Sequence, residues 1–202
     1  MKKYLAAVLV GSALIPALAG AVPISSEADP ALAGSTLIDF ESVAAGEYAS
    51  LALAGVTING IGGTMTICTG CGGGSGSFGD VGQSLQNTGG VPTNFDLVFT
   101  APVSAFGILG GAVNGPWVYT AYDSANNLIE TLNLNDPCCN GIYHGIAASG
   151  IARVNLSGGG DWVVFDNLRF LVAAPTSVPE PTTLGLLGLA LAGAAVARRR
   201  KV

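Results

Sequence analysis

Short runs of alternating apolar and polar residues fill the chain between residues 22 and 175. The alternation is clearest in Phe95-Asp96-Leu97-Val98-Phe99, where Phe95, Leu97 and Phe99 would share one face of an extended strand. An apolar stripe with the spacing of an amphipathic helix does not continue over a helical length anywhere in this region. Gly, Asn, Asp and Pro residues separate the runs, as is typical of turns. This pattern predicts an all-β domain over residues 22–175.

About ten strands are predicted in this domain, each bounded by turn residues. The predicted strands are Thr36–Phe40, Val56–Asn59, Thr64–Cys68, Phe95–Thr100, Val103–Leu109, Trp117–Asp123, Leu128–Leu134, Tyr143–Ala147, Ala152–Leu156 and Trp162–Leu171. Ala101-Pro102 is expected to separate two strands, and the Gly-rich stretch from Gly70 to Gly90 is expected to form a long flexible surface loop. Many short strands without intervening helices favour a β-sandwich of jelly-roll type.

The first 21 residues have the three-part order of a secretory signal peptide. Lys2 and Lys3 precede the apolar run Tyr4–Leu18, and small residues close the segment at Ala19 and Ala21. Signal peptidase is expected to cleave after Ala21, with Ala19 as the alternative position. The apolar run is short for a permanent anchor, because a membrane span needs about 20 residues.

The C-terminal segment, residues 176–202, has a different three-part order. Val178-Pro179-Glu180-Pro181 precedes the uncharged run Thr182–Ala197, and the basic cluster Arg198-Arg199-Arg200-Lys201 follows it. At roughly 1.5 Å per residue the run would be ~24 Å long, which is marginal but usable for a transmembrane helix. The basic cluster would stay cytoplasmic, so the interior domain would lie on the exported side.

This order of Pro-Glu-Pro motif, short apolar helix and basic cluster resembles the PEP-CTERM sorting signal of Gram-negative bacteria. The resemblance implies that an exosortase, an integral-membrane protease, recognises a four-residue motif and processes the tail during export. In this chain the motif residues are Val178, Pro179, Glu180 and Pro181. The resemblance further implies a surface, biofilm or extracellular-matrix protein in a bacterium that makes exopolysaccharide. A plain tail anchor is the alternative, but it leaves the Pro-Glu-Pro motif unexplained.

The interior also resembles jelly-roll carbohydrate-binding modules in two short segments. These are the opening Asp39-Phe40-Glu41 and the closing Phe165-Asp166-Asn167-Leu168-Arg169-Phe170. In such modules an early acidic residue and a late Asp share a structural Ca²⁺, a cation that prefers carboxylate and carbonyl oxygens. The resemblance therefore implies a calcium site at Glu41 and Asp166, and it makes extracellular polysaccharide a partner to consider.

The distribution of charge limits the partners of the interior. Residues 22–175 contain two basic residues, Arg153 and Arg169, and twelve acidic residues, so their net charge is −10. Such a surface repels the phosphates of nucleic acid and of anionic lipid, and neither is expected as a partner. A strongly anionic polysaccharide would be repelled unless divalent cations bridged it, so a neutral glycan is the expected ligand if the domain binds one.

The four cysteines form two clusters, Cys68 with Cys71 and Cys138 with Cys139. Export makes disulfide bonds the expected state. A bridge between the clusters would close a loop of about seventy residues and stabilise the fold by about 4 kcal/mol, more than a bridge within Cys-x-x-Cys would. At least one bridge between the clusters is therefore expected, with the pairing left open. A Cys₄ zinc site and a redox pair are the weaker alternatives.

Known catalytic motifs are missing from the interior. His144 is the only histidine, and neither a Gly-x-Ser-x-Gly elbow nor a His-Glu-x-x-His motif occurs. A glycoside hydrolase would need a pair of carboxylates, and turn or surface roles explain the available ones equally well. These carboxylates are Asp39, Glu41, Asp161 and Asp166.

Trp117, Tyr119 and Tyr122 are the aromatic residues that a sugar-stacking platform would use. Alternation places Trp117 and Tyr119 on one face of a strand and Tyr122 on the other, so the three cannot stack on one ligand. The first two are expected in the core. The sequence thus predicts a non-enzymatic structural or adhesive protein. The alternatives are a protein like a carbohydrate-binding module and a polysaccharide-active hydrolase.

Overall fold

The computed structural model describes residues 20–71, 82–87, 91–92, 94–111, 115–136, 140–158 and 162–174. Most of the predicted signal peptide and the whole predicted sorting segment lie outside the described residues, as do Cys138, Cys139 and Asp161. Within the described ranges, no helix has the length and apolar character that a membrane span requires.

The described ranges contain twelve strands and one short 3-10 helix, Pro30–Leu32. The strands are β1 Val22–Ile24, β2 Thr36–Ile38, β3 Gly46–Tyr48, β4 Ser50–Leu53, β5 Val56–Ile61, β6 Met65–Thr69, β7 Gln83–Asn87, β8 Asn94–Gly111, β9 Trp117–Tyr122, β10 Leu128–Leu134, β11 Ile142–Gly158 and β12 Val164–Val172. The prediction of an all-β interior is confirmed. Four short strands, β1, β3, β4 and β7, are additional to the predicted ones.

β8 and β11 are long strands that run through two parts of the sheet, which we call the first and the second half-sheet. Residues 94–99 of β8 pair with β5, and residues 103–111 of β8 pair with β12. Residues 153–158 of β11 pair with β9, and residues 145–147 pair with β1. The first half-sheet therefore has the order β10-β9-β11-β8-β5-β4, and the second contains β1, β11, β8, β12, β2, β7, β6 and β3.

Both long strands bend where they pass from one half-sheet to the other. In β11 the pairing register with β8 shifts between Ala147 and Arg153, and Gly150 lies within this shift with a φ of 80°. Glycine adopts a positive φ without the steric penalty of a Cβ atom. In β8 the bend lies near Pro102, which has no N–H to contribute to a strand ladder. The predicted strand ends at these two places are wrong, because the chain bends there and continues as strand.

The two half-sheets face each other across an apolar core. Phe95, Leu97 and Phe99 of β8 are all buried in it, which confirms the predicted alternation. Phe165 of β12 makes edge-on contacts with Phe95 and Trp117 across the core, with ring centroids 5.3 and 5.5 Å apart. Two further ring pairs join the half-sheets, Phe99 with Phe170 and Phe106 with Tyr119. The core therefore lies between two parts of one open, all-β sheet.

The chain's own N-terminal segment, residues 22–35, pairs with β11 as β1 and then covers part of the outer face of the second half-sheet. Ile24 and Leu32 of this segment pack in a buried cluster with Ala105 and Tyr143. Glu27 attaches the segment to β12, because its carboxylate accepts hydrogen bonds from Asn167 and Arg169 at 3.0 and 3.4 Å. On the first half-sheet, in contrast, the outward residues are half-buried or exposed.

The Gly-rich stretch from Gly70 to Gly90 contains a strand, so the prediction of a continuous loop is wrong at β7. This strand pairs with β6 on one side and β12 on the other. Its Ser84, Leu85 and Asn87 are buried, and Asn87 Oδ1 accepts the Val163 N–H at 2.8 Å. Alternation does not predict β7, because two of its three buried side chains are polar.

Candidate functional site

Cys68 and Cys71 form a disulfide bond with each other. Cys68 lies in β6, and the chain then turns at Gly70, whose φ is 74°. The turn brings the two Cα atoms to 5.8 Å, within the range of a disulfide. The expectation of a bridge from this pair to the other cluster is therefore wrong, because the local turn joins Cys68 to Cys71.

Glu41 and Asp166, the predicted calcium ligands, lie in different settings. Glu41 is exposed after β2, and its Oε1 accepts the Gln83 N–H at 3.0 Å. Asp166 of β12 is 1% exposed, and its Oδ1 accepts the Asn167 N–H at 2.7 Å. The described residues contain no group of three or more His, Cys, Asp or Glu side chains that could hold a metal ion. The calcium site at Glu41 and Asp166 stays a prediction.

His144 lies near one end of the core with two titratable neighbours. Its Nε2 is 2.8 Å from Asp136 Oδ2, and its ring meets the edge of Tyr119 with centroids 6.3 Å apart. Burial raises the pKa of Tyr119 well above its usual range, and the negative charge of Asp136 adds to the shift. The cluster keeps Tyr119 protonated and holds the His144 ring in one orientation.

The aromatic residues lie where the alternation predicts. Trp117 and Tyr119 are buried in the core at 3% and 2% exposure, whereas Tyr122 is half-buried on the opposite face of β9. The structure therefore does not gather the three aromatic residues into one platform.

Of the carboxylates considered for a hydrolase, Asp39 accepts the Glu41 N–H through Oδ1 at 3.2 Å, which is a local turn contact.

The outer face of the first half-sheet carries a row of polar side chains that crosses all six strands. The pairing register places one outward residue from each strand beside the next, and the intervening residues of each strand point into the core. We call this set the polar row. From β4 to β10 it consists of Ser50, Asn59, Asp96, Asn155, Thr120 and Thr131.

Hydrogen bonds order the middle and one end of the polar row. Asp96 Oδ1 accepts from Asn155 Nδ2 at 2.7 Å and from Arg153 Nη1 at 3.1 Å. The Arg153 guanidinium also lies over the Tyr122 ring, 4.1 Å from its centroid. At the β4 end, Ser50 Oγ donates to Asn59 Oδ1 at 2.7 Å. Side chains ordered in this way lose less entropy when a ligand binds.

Sequence reasoning misses the polar row, because its members are common surface residues spread from Ser50 to Asn155. Strand register brings them together, and register depends on which strands pair. Chemically, the row offers hydroxyl and amide groups that both donate and accept hydrogen bonds. Asp96 is the charged member, and its ion pair with Arg153 compensates it locally.

Comparison with known proteins identifies one segment of the chain. Residues 177–201 match the family model of the PEP-CTERM protein-sorting motif, which confirms the predicted sorting signal. A motif of this kind indicates an exported protein that is processed at the membrane by an exosortase.

No curated protein matches the chain in sequence. Among solved structures, the enzymatically active domain of tailspike protein 4 from bacteriophage CBA120 aligns with 67% of this chain at 12% sequence identity. The TM-score is 0.31, and the alignment spans 20% of the tailspike chain.

Proposed function

We propose that this protein is a non-enzymatic structural or adhesive component of the cell envelope or extracellular matrix of an exopolysaccharide-producing bacterium. The sorting motif at residues 177–201 carries the proposal. The signal peptide predicted at residues 1–21 supports the same route, since export precedes sorting. Signal peptidase removes that peptide, and the apolar run Thr182–Ala197 holds the chain in the inner membrane until exosortase acts.

The interior domain, residues 22–175, is the part that reaches the surface, and we propose a jelly-roll topology for it. The Cys68–Cys71 disulfide suits an oxidising location outside the cytoplasm. The non-enzymatic role is supported by the local contacts of the candidate catalytic groups. Asp39 caps a turn, Asp166 bonds its neighbouring N–H, and His144 pairs with Asp136.

Replacing Pro179, Glu180 and Pro181 with alanine tests the sorting route. In a strain that contains exosortase, the triple variant is expected to stay in the inner membrane as a longer, unprocessed chain, because the recognition residues are gone. Immunoblotting of fractionated cells measures both chain length and location. Thr182→Ala/Thr183→Ala, directly after the motif, is the matched control and is expected to be processed. A triple variant that is processed and located like wild type would overturn the proposal.

The enzymatic alternative is tested on the exported protein itself. Purified protein is incubated with the exopolysaccharide of its host, and new reducing ends are measured. We expect none above the level of a heat-inactivated sample. Reproducible release of reducing ends would replace the structural role with a polysaccharide-active hydrolase.

A further inference from the structure

We propose that the polar row binds one chain of a neutral polysaccharide, which lies across the six strands of the first half-sheet. The inference rests on the proposed function, because only an exported protein meets such a polymer. It assigns the contact to Asn59, Asn155, Thr120 and Thr131, with Asp96 and Arg153 as their support.

The spacing of the polar row suits a polymer with a short repeat. Neighbouring strands are ~4.8 Å apart, so six row residues extend over ~24 Å. Sugar units of an extended polysaccharide repeat at a similar distance, so each strand presents one polar side chain to about one unit. Sugar hydroxyls both donate and accept hydrogen bonds, as do the hydroxyl and amide groups of the row.

The charges of this face favour a neutral ligand. The acidic member of the row, Asp96, is paired with Arg153 at 3.1 Å, and both side chains are held within the sheet surface. The row and Arg153 together carry no net charge, whereas residues 22–175 carry a net charge of −10. An anionic polymer is repelled by the domain as a whole and meets no uncompensated cation on this face.

The same face is poorly suited to a protein or a nucleic acid. The centre of a protein interface is apolar and depleted in charge, whereas the centre of this face is Asp96 with Asn155. Exposed apolar side chains such as Val98 and Leu128 lie beside the polar row and not within it. A nucleic acid would need several cations to neutralise its phosphates, and Arg153 is already paired.

Tyr122 borders the polar row and adds an aromatic side chain beside it. Its cross-strand partner is Arg153, whose guanidinium lies against the ring. The residue is half-buried and lies on the same face of β9 as Thr120. A pyranose has an apolar C–H face as well as hydroxyls, and a fixed aromatic ring next to hydrogen-bonding groups contacts both.

Affinity electrophoresis of the full-length protein in mild detergent tests the proposal. Native gels contain hydroxyethyl cellulose, dextran or alginate, which are a neutral β-glucan, a neutral α-glucan and an anionic polymer. Wild type is expected to be retarded by at least one neutral polymer and not by alginate. Retardation by neither neutral polymer would overturn the inference, and so would retardation by alginate only.

Thr120→Val/Thr131→Val removes two hydroxyls from the polar row at nearly constant shape. Two lost hydrogen bonds are expected to weaken binding of the neutral polymer by about tenfold or more. Thr36→Val, on β2 of the second half-sheet, is the matched control and is expected to bind like wild type. Asn59→Ala removes an amide from a different strand and is expected to weaken binding in the same direction.

Thermal unfolding shows whether each variant is folded. If the double threonine variant is unfolded, the Asn59→Ala variant decides the outcome. Folded row variants that bind as tightly as wild type would overturn the inference. Cell fractionation separates this result from the proposed function. A row variant that loses polymer binding but is sorted normally bears only on the ligand of the polar row. Normal sorting of the Pro-Glu-Pro variant would instead contradict the proposed function.

Discussion

Replacing Phe165 with alanine is expected to lower the free energy of unfolding by roughly 4 kcal/mol, since truncating a buried phenylalanine costs about 3–5 kcal/mol. Phe165 is 1% exposed. Its ring meets Phe95 and Trp117 of the first half-sheet edge-on, so the substitution removes contacts that join the two halves. Each aromatic pair contributes about 0.5–1.5 kcal/mol beyond its buried area. A cavity at this place is lined by side chains from both half-sheets and closes only if they shift together.

Urea unfolding followed by tryptophan fluorescence measures this change, because Trp117 lies against Phe165 and reports on the same part of the core. Phe165→Leu keeps most of the apolar volume and loses both ring pairs, so about 1–2 kcal/mol is expected for it. Leu128→Ala, at a side chain 62% exposed, is the surface control and should change stability by less than about 0.5 kcal/mol. A Phe165→Ala variant within about 1 kcal/mol of wild type would refute packing of the half-sheets through this residue.

Two further predictions concern the disulfide and the buried tyrosines. Mass spectrometry of unreduced proteolytic peptides is expected to find Cys68 and Cys71 joined, and a peptide joining either to Cys138 or Cys139 would contradict the turn at Gly70. Burial raises the pKa of Tyr119 and of Tyr143. The unfolded chain therefore ionises first, so stability measured by urea unfolding is expected to fall as the pH rises above about 10. Tyr143→Phe should make this decline shallower, and an unchanged decline would show that Tyr143 is not the cause.

The class of fold follows from local pattern, whereas the course of the long strands does not. Alternation places Phe95, Leu97 and Phe99 inward, and the structure has them buried. The same pattern predicts strand ends at Ala101-Pro102 and before Ala152. Pro102 and Gly150 instead mark bends, because β8 and β11 continue into a second half-sheet where new partners pair with them. Whether a turn-forming residue ends a strand or bends it depends on partners that are distant in sequence.

The sorting signal was determined by the sequence itself, because an exosortase reads a short linear segment. Val178, Pro179, Glu180 and Pro181 are adjacent in the chain, and the family match covers them. The disulfide of Cys68 depended instead on the turn at Gly70, which brings Cys71 within bonding range. A comparison of loop lengths does not reveal such a turn.

The polar row was decided by tertiary structure only. Ser50 and Asn155 are separated by most of the interior domain in sequence, yet register places them three strands apart in one sheet. Hydrophobic burial selects which face of each strand turns inward, and that much is visible in the alternation. The row of outward residues forms only when backbone hydrogen bonds set the six strands side by side, and those bonds carry no pattern in the side-chain sequence.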